Sequence, residues 1–145
     1  MERELSLATN QPFMAAILEL IAPGSRLTKD GEGATFDLAE SATRTFLCVM
    51  EITAQVEQES VEVSVWGSED GASWGKTPLL IMPQQFYRGG TSQILDVSLR
   101  PEIRFIRARW KLTRWGRVSP HPRFQLGFTA TEIPVVAPGR ERTIS

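Results

Sequence analysis

A chain of 145 residues, 41% hydrophobic and 23% charged with a formal net charge of −1, is long enough to bury one core and sits near the globular average. This composition gives no indication of disorder or of a membrane protein. The single cysteine, Cys48, excludes an intrachain disulfide and a multi-cysteine metal site, and its place in the apolar run FLCVM suits a buried thiol better than a nucleophile.

Residues 1–30 form an N-terminal apolar segment. Met1–Gln11 carries two glutamates and one arginine, which is the wrong charge for a secretory leader. The run Phe13–Ile21 (FMAAILELI) is broken by Glu19 and is too short to span a bilayer. Asn10 can cap a helix with Pro12 in its first turn, and Ala22-Pro23-Gly24 supplies a stop. A short strand is the competing assignment, because so brief an apolar run does not let periodicity arbitrate. In either form the segment leaves little polar face and needs a cover.

From Gly31 the pattern is β throughout. Strands are expected over residues 34–38, 45–56, 61–65, 79–82, 93–97, 104–112 and 124–130. The sixth alternates Ile106, Ala108, Trp110 and Leu112 with Arg107, Arg109 and Lys111. Seven strands with turn signals every 8 to 15 residues predict an all-β, antiparallel β-sandwich over residues 31–133 with jelly-roll or Greek-key connections. Residues 134–145 (PVVAPGRERTIS), rich in proline and mixed charge, are expected as an extended C-terminal arm.

Within VSVWGSEDGASWG, Val63 to Gly75, the Ser-Glu-Asp-Gly turn is a hairpin signal, because glycine accepts positive φ. Its two tryptophans are expected to close the end of a hairpin, with Trp74 and Trp110 in the core and Trp66 against the strand that follows. Trp115, beside Gly116 in a loop, is the tryptophan expected to be most exposed. A sugar site needs exposed aromatic faces with polar edges. Trp66, Asp70, Arg88 and Trp115 are the residues that would supply one.

Chemistry is otherwise sparse. The one histidine, His121, lies between two prolines and suits a loop spacer better than a general base. No enzyme, cofactor or metal site is expected. Charge is divided along the chain: residues 1–75 hold 13 acidic and 4 basic side chains (−9), and residues 76–145 hold 4 acidic and 12 basic (+8). Arg107, Arg109 and Lys111 are the candidate polyanion face. Neutralisation between adjacent acidic and basic strands explains the asymmetry more simply, so nucleic-acid binding is not expected.

The order TFDLAESATRT, FLCVMEITAQV, VSVWGSEDGASW, QILDVS, RFIRARWKL, RFQLGFTATEI covers about residues 31–133. Its hairpin resembles the Ser-x-Asp-Gly-x-x-Trp hairpin of discoidin-like and other jelly-roll domains. The whole order resembles small sandwich proteins encoded in the structural-gene regions of tailed bacteriophages and prophages. The chain departs from that pattern in its N-terminal segment and in the basic connection Arg114–Arg123. The resemblance implies a non-enzymatic virion component, in the cytoplasm before assembly and in the particle after it. Its implied partners are copies of itself and other virion proteins, with a glycan as the alternative ligand. Phe13, Ile17, Leu20, Ile21, Val135 and Val136 are the expected intersubunit contacts.

Overall fold

The computed structural model describes residues 17–55, 59–115 and 124–134. It contains nine strands: β1 (Ile17–Leu27), β2 (Gly31–Glu32), β3 (Phe36–Asp37), β4 (Thr45–Gln55), β5 (Glu59–Ser68), β6 (Leu80–Ile81), β7 (Gly89–Asp96), β8 (Phe105–Arg114) and β9 (Phe124–Glu132). They form two antiparallel sheets. Sheet A has the order β1-β9-β4-β7; sheet B has the order β2-β8-β5-β6, with the short β3 also pairing β8. All-β antiparallel architecture is thus as the alternation predicts, and no helix occurs among the described residues.

The core lies between the sheets. Sheet A contributes Leu20, Phe46, Cys48, Met50, Ile52, Phe124, Leu126 and Phe128, and sheet B contributes Val61, Val63, Val65, Ile106 and Ala108. These are the alternate positions of each strand, because successive side chains point to opposite faces of a sheet. Connections close the ends with Leu38, Met82, Val97 and Ile103.

Residues 17–27 are where sequence and structure part. Of the two assignments open for the apolar run, the described part is a strand: β1 pairs β9 from Ile17↔Thr131 to Leu27↔Phe124. The strand alternative holds over these residues, and β1 joins sheet A from Ile17, ahead of residue 31. Ala22-Pro23-Gly24, expected as a stop, is instead an irregularity inside the strand, where register shifts between Ile21 and Ser25. Proline is tolerated there because a bulge on an edge strand needs no ladder donor. The arch crosses Gly127 of β9 so closely that a Cβ at Gly127 would lie 2.6 Å from the Pro23 Cα. Residues 1–16 and 135–145, including Phe13, Val135 and Val136, lie outside the described residues, as does His121.

Candidate functional site

The strand register sets out four surface features. On the outer face of sheet B, the basic side of β8 lies between acidic neighbours. Glu62 of β5 faces Lys111, and Glu32 of β2 faces Arg109; the Glu59–Arg114 pair lies on the opposite, inward side of the sheet, where Glu59 is buried. The Glu32 carboxylate reaches both Arg107 (3.2 Å) and Arg109 (3.3 Å). Each of these guanidiniums also stacks on an indole: Arg107 on Trp74 and Arg109 on Trp66, both 4.1 Å from the ring centre. A stack of this kind contributes ~0.5–2 kcal/mol when partly desolvated. On this face the basic residues of β8 thus stand beside acidic residues of the neighbouring strands.

The indoles take different places from those expected. Trp74 is buried but outside the contiguous core cluster, under Arg107. Trp66 packs with Arg109 of β8, not with the strand after the hairpin, and its Nε1 donates to Ser64 Oγ at 2.9 Å. Trp110 is half-buried against the core as expected; its ring fills the space beside Gly31, and its Nε1 donates to the Lys29 carbonyl at 3.0 Å. A groove of about 660 Å³ runs beside this ladder, lined by Glu32, Glu62, Ser64, Trp66, Trp110 and Lys111 among others.

At the end of β5, the Ser68–Gly75 turn is held by its own polar groups. Ser68 Oγ accepts from the Asp70 and Gly71 amides, and one Asp70 carboxylate oxygen accepts from the Ala72 and Ser73 amides at 2.8 and 2.9 Å. Those amides, Ser73 before Ala72, with the Ser68 hydroxyl hold the Asp70 carboxyl down at about 2. Gly71 and Gly75 take φ of 79° and 72°, the left-handed conformation that the turn motif requires. Asp70 is therefore engaged in shaping the hairpin.

The third feature is aromatic. Phe86 packs on Tyr87 (6.3 Å between ring centres) and edge-on to Trp115 (6.0 Å), and all three are exposed. Trp115 is the most exposed of the four tryptophans. The structure brings it to the end of the molecule where Arg88 leaves the same loop as Phe86. Trp66 and Asp70 lie at the other end, since Trp66 faces Arg107 and Trp115 is eight residues further along that strand, roughly 26 Å. Trp66 and Trp115, the alternative aromatic platforms of the expected ligand site, thus lie far apart along β8. Phe86 and Tyr87 carry no pattern that marks them from sequence; only the fold sets them against Trp115.

The fourth feature is the outer face of sheet A. Ile17 pairs Thr131, Thr131 pairs Leu47, and Leu47 pairs Ile94, so one uncharged row crosses all four strands. Its aliphatic members are exposed: Ile17 by 62%, Leu47 by 39% and Ile94 by 53%. The next row, Glu19, Thr129, Val49 and Ser92, adds one charge. Of the residues expected at subunit contacts, Ile17 is on this surface. Leu20 and Ile21 are buried in the sandwich's own core, because β1 turns them inward.

Among the described residues no group of three or more His, Cys, Asp and Glu side chains could hold a metal ion. Burial raises the Cys48 thiol to about 12, which removes the thiolate needed for nucleophilic chemistry at neutral pH. No helix among the described residues is long and apolar enough to cross a membrane.

No protein-family model matches the chain, and no curated protein matches it. Among solved structures it is similar to a chain in the structure of infectious bursal disease virus, Gx strain, at 11% identity and a TM-score of 0.44. That similarity covers 81% of this chain, which spans 30% of the viral one.

Proposed function

We propose that this chain is a non-enzymatic structural module that assembles with copies of itself and with other virion proteins. Its place would be the head, neck or tail of a phage-like particle, reached from the cytoplasm in which it folds. The observation that carries this reading is the uncharged row Ile17–Thr131–Leu47–Ile94 across sheet A. A small sandwich gains nothing in its own stability from aliphatic side chains left in water, and an uncharged strip with three exposed aliphatic side chains on a rigid sheet suits contact with another protein. The strand order adds support. With β2 and β3 taken as one interrupted strand, two four-stranded sheets exchange strands along the chain in the jelly-roll pattern, an arrangement used by capsid and lectin domains. Fold alone does not assign a function, so the reading rests on this surface row.

Light scattering coupled to size exclusion, over a concentration series, tests the reading. The expected result is a discrete oligomer or a concentration-dependent mass that Leu47→Lys lowers while leaving the melting transition in place. A monomer at every concentration, with Leu47→Lys silent, overturns it.

A second reading has one observation in its favour. The exposed Phe86–Tyr87–Trp115 cluster with Arg88 nearby offers the flat faces and polar edge of a glycan platform. Tryptophan fluorescence titrated with polysaccharides would show a saturable change that Trp115→Ala removes.

A further inference from the structure

Every sheet has edges whose unpaired N–H and C=O groups invite another strand, and folded proteins blunt them with prolines, bulges, charges or brevity. Three of the four edge positions here are blunted in that way. β1 carries register shifts and Pro23; β2 and β3 have two residues each; β6 has two residues between Pro78 and Pro83. β7 is different. It has eight residues, lies at the end of sheet A with β4 as its partner among the described residues, and is uncharged from Gly89 to Leu95 with no proline.

The hydrogen-bond phase of β7 shows which backbone groups are available. Val97 N–H donates to the Arg44 carbonyl at 2.9 Å, and the ladder continues in the same register through Leu95↔Phe46, Gln93↔Cys48 and Thr91↔Met50. Bonded and non-bonded pairs alternate in an antiparallel ladder. Residues 91, 93 and 95 therefore bond to β4, and the N–H and C=O of Gly90, Ser92 and Ile94 point to the open edge.

The sequence of this edge, Arg88-Gly-Gly-Thr-Ser-Gln-Ile-Leu-Asp96, is complementary to itself when reversed. Resting on the assembly role proposed above, we propose that β7 pairs antiparallel with β7 of a second copy about a two-fold axis through Ser92, joining two A sheets into one of eight strands. In this register the outward-facing residues meet each other: Ser92 opposes Ser92 of the second copy, and Gly90 opposes Ile94. The Ile94 side chain, exposed on the outer face, lies over a glycine around whose Cβ position there is only the Met50 carbonyl, at 3.7 Å. At both ends Arg88 opposes Asp96. A shift of two residues either way keeps the hydrogen-bond phase but loses both ion pairs and the Ile94–Gly90 match. An isologous contact of this kind closes on itself as a dimer.

The register gives a direct test on the full chain. Ser92→Cys would place two thiols across the axis at about 5.5 Å between Cα atoms, within the range a disulfide spans, while Cys48 is buried. Under mild oxidation Ser92→Cys is expected to form a covalent dimer, and Ile94→Cys, facing glycine, is expected not to. Arg88→Asp and Asp96→Arg should each weaken dimerisation about tenfold by setting like charges opposite, and mixing the two variants should restore it, since each copy then supplies what the other needs. Equal cross-linking at 92 and 94, or no rescue on mixing, overturns the proposed register. An oligomer that Ser92→Pro leaves unchanged but Leu47→Lys disrupts would overturn the β7 contact and leave the assembly role standing. A monomer under all conditions would overturn both.

Discussion

Several side chains that look chemical in the sequence turn out to organise the fold. Asp70 is the clearest: a surface carboxylate beside a tryptophan, it accepts two backbone amides of its own turn. Because those bonds lower its pKa from the ordinary 3.8 to about 2, its contribution is fully present above pH 4 and is lost as pH falls through about 2. Asp70→Asn is therefore expected to flatten the acid limb of the stability curve between pH 4 and 2, as followed by thermal melts at each pH. Arg44 works in the same local way without any sequence mark. It adopts a φ of 53°, and its guanidinium donates to the carbonyls of Val97, Arg100 and Ile103, tying two connections at one end of the sandwich. Glu32, the second residue of the expected sandwich, pairs with both Arg107 and Arg109, a role that depends on which strand β2 joins.

Among the elements, β1 shows how far local signals reach. The alternation of the other strands is legible because one face of each is buried and the other is not. In residues 17–27 apolar residues occupy successive positions at Ile17-Leu18 and at Leu20-Ile21, and Ala22-Pro23-Gly24 follows, so both helix-stop and bulge fit the same letters. The bulge is decided by Gly127, a residue more than a hundred positions away, whose missing side chain lets Pro23 cross β9. Gly127→Ala is expected to force β1 from β9 or strain the arch, at a cost of about 1–3 kcal/mol. Chemical denaturation measures that loss, and a neutral result would show that the arch yields. Gly33 makes a similar approach to the Leu20 carbonyl, where a Cβ would lie 2.2 Å from the oxygen, and so holds the start of sheet B against β1.

For the whole molecule, the question is which surfaces are left after the sheets have satisfied themselves. The basic face of β8 is largely consumed: Glu32 pairs with Arg107 and Arg109, and Glu62 lies opposite Lys111. Retention on heparin at physiological salt is therefore not expected, and Arg107→Glu/Arg109→Glu should leave elution unchanged. Firm retention lost in that variant would restore the polyanion reading. What remains open is apolar or backbone in character: the row across sheet A, the unblunted edge of β7 and the exposed aromatic end. The first two are the surfaces that the assembly experiments above probe, and the third is the one that the polysaccharide titration probes.

The sequence by itself determined the fold class, most strands to within a few residues, the inward faces and the hairpin at Ser68–Gly75. Each of these follows from period-two alternation and turn chemistry, which are properties of neighbouring residues. Only the tertiary structure decided that residues 17–27 close sheet A, that Trp74 stacks on Arg107 outside the main core, that Trp66 and Trp115 lie at opposite ends, and that β7 is the exposed edge. Those facts depend on which strands become neighbours. In an antiparallel sandwich that choice is made by pairings distant along the chain, such as Ile17 with Thr131, where no local pattern carries the information.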